Sequence, residues 1–327
     1  MFKPYVEHQT AISHHAVDAS VRFRFHWRVQ ASKDFLNLGP TFWANVRTIS
    51  QALGYTERGA QRIRIHSRAS IIGAYRILGL ATDHLFATAS GPDTPMGLAL
   101  LDYFHFRAEV LETVVEPNLM DYNEALDAFN ELVRQHRPKR PFAMNKQKGD
   151  KAGPNPLTGI VNVILESKVG TDCDFDPRSL TTVTRDGLPV RTLARRVDGA
   201  YPAVVNPVAI WEIKEYYHTT TFGSRIADGV YETMLDGLEL SELRAEEGID
   251  VKHYLFVDSH RTWWTMGRSY LCRMVDILHM GLVDEILFGH EVVDRLPNLV
   301  DEWIDDRRAG LSGDHGGQPD QLKFPNT

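Results

Sequence analysis

Glu212 and Lys214 are the residues whose types and spacing point most directly to chemistry. Residues two apart on a β-strand project from the same face, so the segment VAIWEIKEYY, read as a strand, presents an acid and an amine side by side. Asp198 precedes Gly199 at the end of the preceding predicted strand, and a loop returns the chain alongside it. Two carboxylates, with the backbone carbonyl of Ile213, would suit Mg²⁺, with Mn²⁺ able to replace it. Such a metal activates water for attack on a phosphodiester, and Lys214 would orient that water.

A second Glu-x-Lys copy, Glu166-Ser167-Lys168, competes with the first, and Asp150 is its available upstream acid. We favour Glu212 and Lys214 because their strand is unambiguous and a helix follows it. Glu166 is then a candidate for an additional acid at the metal site; the alternative is an exposed carboxylate at a helix end. The spacing alone leaves both copies open.

The elements that must position these residues follow residue 155. LTGIVNVILES is apolar and fits a helix or a strand, and residues 179–201 alternate around Asp186-Gly187, which is a strong hairpin signal. VAIWEIKEYY and VKHYLFVDS predict a third and a fourth strand, and residues 223–248 and 268–289 predict helices. The predicted fold class is α+β, with an α/β core that contains a mixed sheet and an N-terminal, mainly helical domain.

This segment, from about residue 158 to 290, resembles the PD-(D/E)xK nuclease superfamily through Asp198-Gly199, then Glu212-Ile213-Lys214, then a helix and a strand. The resemblance implies an αβββαβ core with restriction-endonuclease-like topology, magnesium dependence and products with 5′-phosphate and 3′-hydroxyl ends. Asp198, Glu212 and Lys214 would be the acid, acid and lysine of the motif. Val197 departs from the proline that the motif has at this position, which contributes no ligand.

Basic residues in the N-terminal part lie between two segments with helical periodicity, FWANVRTISQALGY and SRASIIGAYRILGL. The arginines are Arg58, Arg62, Arg64 and Arg68. Helix, turn, basic residues, helix is the outline of a helix-turn-helix or winged-helix module that reads DNA. The alternative is a helical bundle with a solvated basic face.

Hydroxyl groups and a cation precede the helix predicted at residues 223–248. They are contributed by Thr220, Thr221, Ser224 and Arg225. At a helix N-terminus they would bind a phosphate next to the scissile one, or merely cap the helix. Arg225, Asp228 and Glu232 share one face of this helix, which either borders the metal site or only forms intrahelical ion pairs, and we favour the structural role for Asp228 and Glu232.

The two halves of the chain differ in their balance of charged residues. The net charge is −7, but residues 1–150 hold 18 Lys and Arg against 15 Asp and Glu, which leaves 18 against 28 for residues 151–327. We predict a DNA-recognition domain over 1–150, a nuclease domain over 151–308 and a flexible tail over 309–327. Absence of a long apolar run predicts a cytoplasmic protein with no membrane partner. The sequence contains no P-loop, GxSxG or HExxH pattern.

The resemblance implies a metal-dependent endonuclease acting on double-stranded DNA. A site-specific type II restriction enzyme is the main expectation, working as a homodimer because a palindrome needs two active sites related by a twofold axis. A separate cognate DNA methyltransferase would then be its partner. The alternatives are a repair or phage-defence nuclease of the same superfamily, and a DNA-binding regulator with an inactive nuclease core.

Overall fold

The computed structural model describes residues 31–36, 38–57, 59, 62–87, 91–145, 152–220 and 222–313. These residues form an α+β fold in which a mixed sheet follows an N-terminal region of helices, as the sequence predicts. No helix in these ranges is long and apolar enough to cross a membrane.

The N-terminal region begins with two helices joined by a short β-ribbon. In chain order the elements are α1 (Gly39–Leu53), β1 (Thr56–Glu57), β2 (Arg62–Ile63), α2 (Arg68–Leu78) and α3 (Pro95–Val110). A π-helical segment (Leu111–Val115), α4 (Glu116–Asn118) and α5 (Tyr122–His136) lead into the second part. Helix α1 buries Phe42, Val46 and Ile49, the apolar positions that predicted it. Helix α2 starts where the Ser67 hydroxyl accepts a hydrogen bond from the backbone N–H of Ser70.

The connection between α1 and α2 differs from a helix-turn-helix unit. Strands β1 and β2 pair antiparallel, with Thr56 opposite Ile63, instead of forming the turn of three or four residues that such a unit has. Arg62 therefore lies on β2, Arg64 follows β2, and Arg68 is the first residue of α2. Arg58 lies outside the described residues.

The second part builds the sheet. Its elements are α6 (Pro156–Val169), β3 (Asp174–Phe175), β4 (Thr182–Arg185), β5 (Leu188–Thr192), β6 (Gly199–Tyr201), β7 (Ala209–Glu215), α7 (Ser224–Glu247), β8 (Lys252–Asp258), a π-helical segment (His260–Met266), α8 (Arg268–His279), β9 (Glu285–Phe288) and α9 (His290–Gly313). Among the described residues, five strands form one sheet in the order β3-β6-β7-β8-β9. β3, β6 and β7 are antiparallel, and β7, β8 and β9 are parallel. With the β4-β5 hairpin set apart, α6 to β8 follow the order αβββαβ.

Three expectations about these elements need correction. The hairpin at Asp186-Gly187 forms, but β4 and β5 make a separate two-stranded sheet, and the short strands β3 and β6 take the places expected for them. Asp198 therefore precedes β6 instead of ending a strand. The helix predicted over 268–289 ends at His279, and β9 follows. Helix α9 continues through 309–313, where a tail is predicted, and residues 314–327 lie outside the described ranges.

The two faces of β7 point to different helices. Trp211 shares a hydrophobic cluster with α6 and α9, and its ring stacks on that of Trp303, with 5.6 Å between the ring centroids. Ile210 on the other face packs against Leu240 and Leu243 of α7. Alternation along the strand therefore turns Glu212 and Lys214 toward α7.

The predicted boundary at residue 150 separates two helices that pack together. A Cβ on Gly159 of α6 would lie 2.5 Å from the ring of Phe129 on α5, so the two helices come close at this glycine. Farther along, the buried Arg107 of α3 pairs with Asp276 of α8, with 3.0 Å between Nη1 and Oδ1. The N-terminal helices and the sheet region thus share buried contacts.

Candidate active site

The pairing of β6 with β7 brings Asp198 to Glu212. Gly199 lies opposite Trp211, and a Cβ on Gly199 would lie 2.0 Å from the indole ring, so only glycine allows this approach. The backbone N–H of Asp198 donates to the carbonyl of Trp211 at 3.1 Å. Its carboxylate Oδ2 accepts a hydrogen bond from the N–H of Ile213 at 2.7 Å, so the side chain continues the hydrogen bonding between β6 and β7 past the first residue of β6. Asp198, the residue immediately before β6, is therefore held beside the acid on β7.

Glu212 and Lys214 form a buried ion pair. Glu212 is 0% exposed and Lys214 is 5% exposed, and Lys214 Nζ lies 2.7 Å from Glu212 Oε2. Glu232 of α7 lies 3.6 Å from the same Nζ. The stem of Lys214 passes close to Gly229, where an added Cβ would meet it at 3.3 Å. The strand and the helix together fix the position of the amine.

Arg195 and Asp236 complete the cluster, and sequence analysis missed both. Arg195 lies between β5 and β6, and its guanidinium is 2.9 Å from Glu212 Oε1 and 2.6 Å from Asp236 Oδ2. It also lies 3.4 Å from Glu232, so of the two alternatives for this helical face Glu232 follows the one in which it borders the candidate site, and the favoured intrahelical pairing is corrected. Asp236 is four residues after Glu232 on α7, which is one helical turn. The spacing of Glu232 and Asp236 was the sequence signal that could have indicated two acids on one face of α7, but this spacing is common on exposed helix faces.

Ion pairing determines the charge of Glu212 and its cationic partners. Burial alone would raise the pKa of Glu212, but Lys214 and then Arg195 hold it below its ordinary value. Burial alone would lower the pKa of Lys214, and Glu212 with Asp198 holds it above its ordinary value. Burial likewise opposes the charged form of Arg195, and hydrogen bonding to Glu212 raises its pKa. All three side chains are therefore charged at neutral pH.

Asp198 and Asp236 are less stable as anions than Glu212. Desolvation of the carboxylate by its neighbours, followed by the charge of Glu212, raises the pKa of Asp198 to about 6, although the residue as a whole is exposed to solvent, which weakens the shift. Burial raises the pKa of Asp236 to about 7 against the opposing charge of Arg195. Four carboxylates, from Asp198, Glu212, Glu232 and Asp236, thus surround two cations here. An additional positive charge would stabilise the anionic forms.

The resemblance implies a divalent metal, and the oxygen atoms at this site fit one. Glu212 Oε1 is buried and accepts no hydrogen bond, although Arg195 lies beside it. The carbonyl of Ile213 points to the same side of the strand as its N–H, which is the side of Asp198. The described ranges contain no group of three or more His, Cys, Asp or Glu side chains that could hold a metal. The donor set is therefore two carboxylates and a carbonyl, and Arg195 competes for one of them.

The second Glu-x-Lys copy lies away from this cluster. Glu166, near the end of α6, accepts hydrogen bonds from the backbone N–H groups of Lys139 at 2.8 Å and Arg140 at 3.3 Å. Lys168 pairs with Asp301 of α9, with 2.7 Å between Nζ and Oδ2. Helix α6 packs on the face of the sheet opposite Glu212. The candidate role of Glu166 as an additional metal ligand is therefore corrected to that of a carboxylate that binds backbone.

Glu215 lies near the cluster and was not singled out from the sequence. It ends β7, and it accepts hydrogen bonds from the Leu157 N–H at 2.9 Å and the Thr158 hydroxyl at 2.7 Å at the start of α6. Burial raises its pKa to about 7, and these hydrogen bonds oppose the shift. Glu215 thus joins β7 to the N-terminus of α6 on the face opposite Lys214.

The N-terminal arginines are in different environments. Arg62 is exposed on β2, whereas Arg64 is half-buried and lines a groove of about 420 Å³ with His66, Ser67 and Ser70. Arg68 pairs with Asp93, and its guanidinium lies 4.9 Å from the ring centroid of Phe86. The structure therefore holds Arg68 in an internal ion pair and leaves Arg62 facing solvent.

Near the start of α7, Thr220 and Ser224 are exposed. The N-cap of α7 is Gly223, and no side chain of the described residues caps the helix, so the expected alternative of a cap is wrong for Thr220 and Ser224. Thr221 lies outside the described residues, as does the side chain of Arg225.

Two family models match the chain, and both describe domains of unknown function. Residues 29–114 match one (DUF7690) and residues 120–303 match the other (DUF7687). No curated protein and no solved structure matches the chain. The cluster of Asp198, Glu212 and Lys214 lies inside the second matched range, as do Arg195 and Asp236. Because that range spans more than half of the 327 residues, the chain belongs to the DUF7687 family of domains of unknown function.

Proposed function

We propose that this protein is a metal-dependent endonuclease that hydrolyses phosphodiester bonds of double-stranded DNA. One observation carries the proposal: Asp198, Glu212 and Lys214 lie together where β6 meets β7, within elements of the order αβββαβ. This order and this triplet are the features for which the sequence resembles the PD-(D/E)xK superfamily. Carboxylates with raised pKa values, here Asp198 and Asp236, beside a buried lysine are also typical of catalytic sites.

In this proposal Asp198, Glu212 and the Ile213 carbonyl hold Mg²⁺, and Mn²⁺ can replace it. The bound cation supplies an activated water and offsets negative charge on the phosphodiester. Lys214 remains protonated through its pairing with Glu212, so its Nζ can orient the water and donate to a phosphate oxygen. Arg195 positions Glu212 from the other side. The products would carry 5′-phosphate and 3′-hydroxyl ends.

We further propose that the enzyme is a type II restriction endonuclease that acts as a homodimer, with a separate methyltransferase protecting host DNA. The exposed Arg62 and the groove beside Arg64 support DNA contact by the N-terminal region, because guanidinium groups bind phosphates and guanine edges. Thr220 and Ser224, exposed near a helix end that no side chain of the described residues caps, supply donors for a neighbouring phosphate.

A second candidate is a DNA-binding regulator whose nuclease core is inactive. The position of Arg195 favours it, because its guanidinium already occupies the space beside Glu212 and Asp236. A cation supplied by the chain could replace the metal there. A repair or phage-defence nuclease would share the site and differ in its choice of DNA.

The test is incubation with mixed plasmid and phage DNA in Mg²⁺, followed by sequencing of the ends. We expect cleavage that EDTA abolishes, and loss of cleavage in Lys214→Ala. Lys168→Ala is the matched control, because that lysine belongs to the other Glu-x-Lys copy and pairs on the surface with Asp301.

Each outcome distinguishes the candidates. Discrete fragments support a restriction enzyme, and a continuous smear supports a nuclease that does not read sequence. A retarded DNA band with no cleavage in Mg²⁺ or in Mn²⁺ supports the DNA-binding regulator. Full cleavage after removal of metal, or equal cleavage by Lys214→Ala and the parent, contradicts the proposed mechanism.

A further inference from the structure

A cavity of about 440 Å³ lies between α1 of the N-terminal region and helices α7 and α8. Val230, Met234 and Ile277 provide apolar lining, and Thr48 and Gln51 of α1 add polar groups. This volume is within the range of pockets that hold small ligands. The cavity lies between the two matched regions of the chain, because α1 belongs to one matched range and α7 and α8 belong to the other.

Two guanidinium groups line the cavity, and neither has a carboxylate partner in the described part of the chain. Arg47 is exposed, and its Nη2 lies 3.3 Å from the sulfur of Met234 and 3.2 Å from that of Met280, which are weak acceptors. Arg273 donates to the carbonyl of Ser269 at 3.0 Å and lies over the ring of Tyr55. Positive charge at the cavity is therefore available to an anion.

Asp276 also lines the cavity, but its charge is already matched. Both of its carboxylate oxygens accept hydrogen bonds from Nη1 of the buried Arg107, at 3.0 and 3.2 Å. Tyr103 donates to the same carboxylate at 2.7 Å. Asp276 therefore leaves the charges of Arg47 and Arg273 uncompensated.

An aromatic side chain borders the same space. Tyr231 is 45% exposed on α7, so part of its ring can be covered by a planar ligand. Guanidinium groups bind phosphate, a tyrosine ring stacks on a base, and Thr48 and Gln51 can bond its polar edge. We propose that this cavity binds a nucleotide, with the phosphate near Arg47 and Arg273 and the base against Tyr231.

The nucleotide site is separate from the cluster around Glu212. Val230, Tyr231 and Met234 lie on one side of α7, while Glu232 and Asp236 approach Arg195 from another. The same chemistry is offered by a free mononucleotide and by the terminal nucleotide of a DNA strand. The proposal covers both sources and does not depend on nuclease activity.

The test is isothermal titration calorimetry of the full-length protein in EDTA, so that metal-dependent cleavage cannot contribute. The probes are the four deoxynucleoside 5′-monophosphates, the corresponding nucleosides, and a short oligonucleotide with or without a 5′-phosphate. We expect phosphate-bearing probes to bind, and Arg47→Ala and Tyr231→Ala each to weaken binding about tenfold or more. Arg76→Ala, which removes an exposed arginine of α2 outside the cavity, should bind as the parent does.

Binding of the monophosphates identifies a free nucleotide, and binding of the phosphorylated oligonucleotide alone identifies a strand end. Both outcomes support the proposal if Arg47→Ala weakens binding and Arg76→Ala does not. Equal affinity for nucleosides and nucleotides would overturn it, as would equal affinity of the parent and Arg47→Ala for every phosphate-bearing probe.

Discussion

Glu212 sits between two cations that have different relations to solvent. Lys214 is buried with it, whereas Arg195 is partly exposed and also reaches Asp236. Removing Lys214 leaves Glu212 with Arg195 alone, and removing Arg195 takes the cation from the buried Asp236 and one of two cations from Glu212. A buried carboxylate that loses its charge partner is more costly than a pair that never formed. The cluster is therefore sensitive to single substitutions, even where the residue changed is not a reacting group.

The first prediction separates the two Glu-x-Lys copies through their acids. Glu212→Gln should lower DNA cleavage at least about a hundredfold, because an amide is a poor metal ligand and provides no charge. Glu166→Gln should cleave like the parent, since that carboxylate binds the backbone of Lys139 and Arg140. Initial cleavage rates and DNA affinity would be measured for both. If only Glu166→Gln lost activity, the catalytic copy would be Glu166-Ser167-Lys168, which contradicts the prediction.

The second prediction concerns Arg195. Arg195→Met should lower the free energy of unfolding by about 3–5 kcal/mol, because Glu212 and Asp236 are both buried and would lose their shared cation. Arg191→Met is the matched control, since Arg191 also reaches α7 but pairs with the exposed Glu242 and Glu246. Arg191→Met should lower the free energy of unfolding by at most about 1 kcal/mol. Urea unfolding measures both, and equal costs would contradict the structural role given to Arg195.

The sequence predicted only part of this cluster. Glu212 and Lys214 follow from the period of a strand, and Asp198 follows from its place one short loop earlier. Arg195 and Asp236 could not be predicted, because their contact depends on how α7 docks against the sheet. Glu166 was a wrong candidate because spacing gave no information about which face of the sheet α6 covers.

At the scale of elements, long periodic segments were predictable and short strands were not. The hairpin has Asp186 and Gly187 at φ of 50° and 78°, which is the turn that Asp-Gly favours. Strands β3 and β6 contain two and three residues, too few to show alternation, and exist through pairing with neighbours. The apolar run before Gly289 fits either helix or strand, and the break at Gly281, with φ of 73°, decides for β9.

The third prediction tests the close contact at the start of β6. Gly199→Ala should lower the free energy of unfolding by about 1–3 kcal/mol or more, because its Cβ would overlap the Trp211 ring. It should also lower cleavage, since Asp198 is adjacent. Gly73→Ala in α2 is the control: it has open space around it and should be neutral or stabilising. Urea unfolding of the two variants checks this, and an unchanged Gly199→Ala would contradict the observed register.

At the scale of the whole molecule, Asp258 ties the end of β8 to Met120, the residue at which the second matched range begins. Its Oδ1 accepts the backbone N–H groups of Met120 and Ser259, each at 2.8 Å, and Tyr217 donates to Oδ2. Burial raises its pKa from 3.8 to about 8, and these hydrogen bonds only partly oppose the shift. The folded protein therefore keeps a proton on Asp258 that the unfolded chain releases.

The fourth prediction is a pH dependence of stability. Because the folded pKa is the higher one, the contribution of Asp258 is fully present below about pH 4 and is lost as the pH rises to about 8. The loss is at most about 1.4 kcal/mol per pH unit. Asp258→Asn should reduce this slope, so the stability of the parent relative to the variant should fall between pH 5 and pH 8. Urea unfolding at both pH values measures it, and parallel curves would contradict it.

The buried pair of Arg107 and Asp276 has a consequence for inheritance. Arg107 lies in the range matched by one family and Asp276 in the range matched by the other, and neither side chain is open to solvent. A region exchanged for one that lacks the partner residue would leave a buried ionised group unpaired, at a cost comparable to much of a domain's stability. Recombination that exchanges one region would be tolerated only if the incoming region brought the complementary charge. In proteins that retain this pair, the two regions should descend together as one unit of selection.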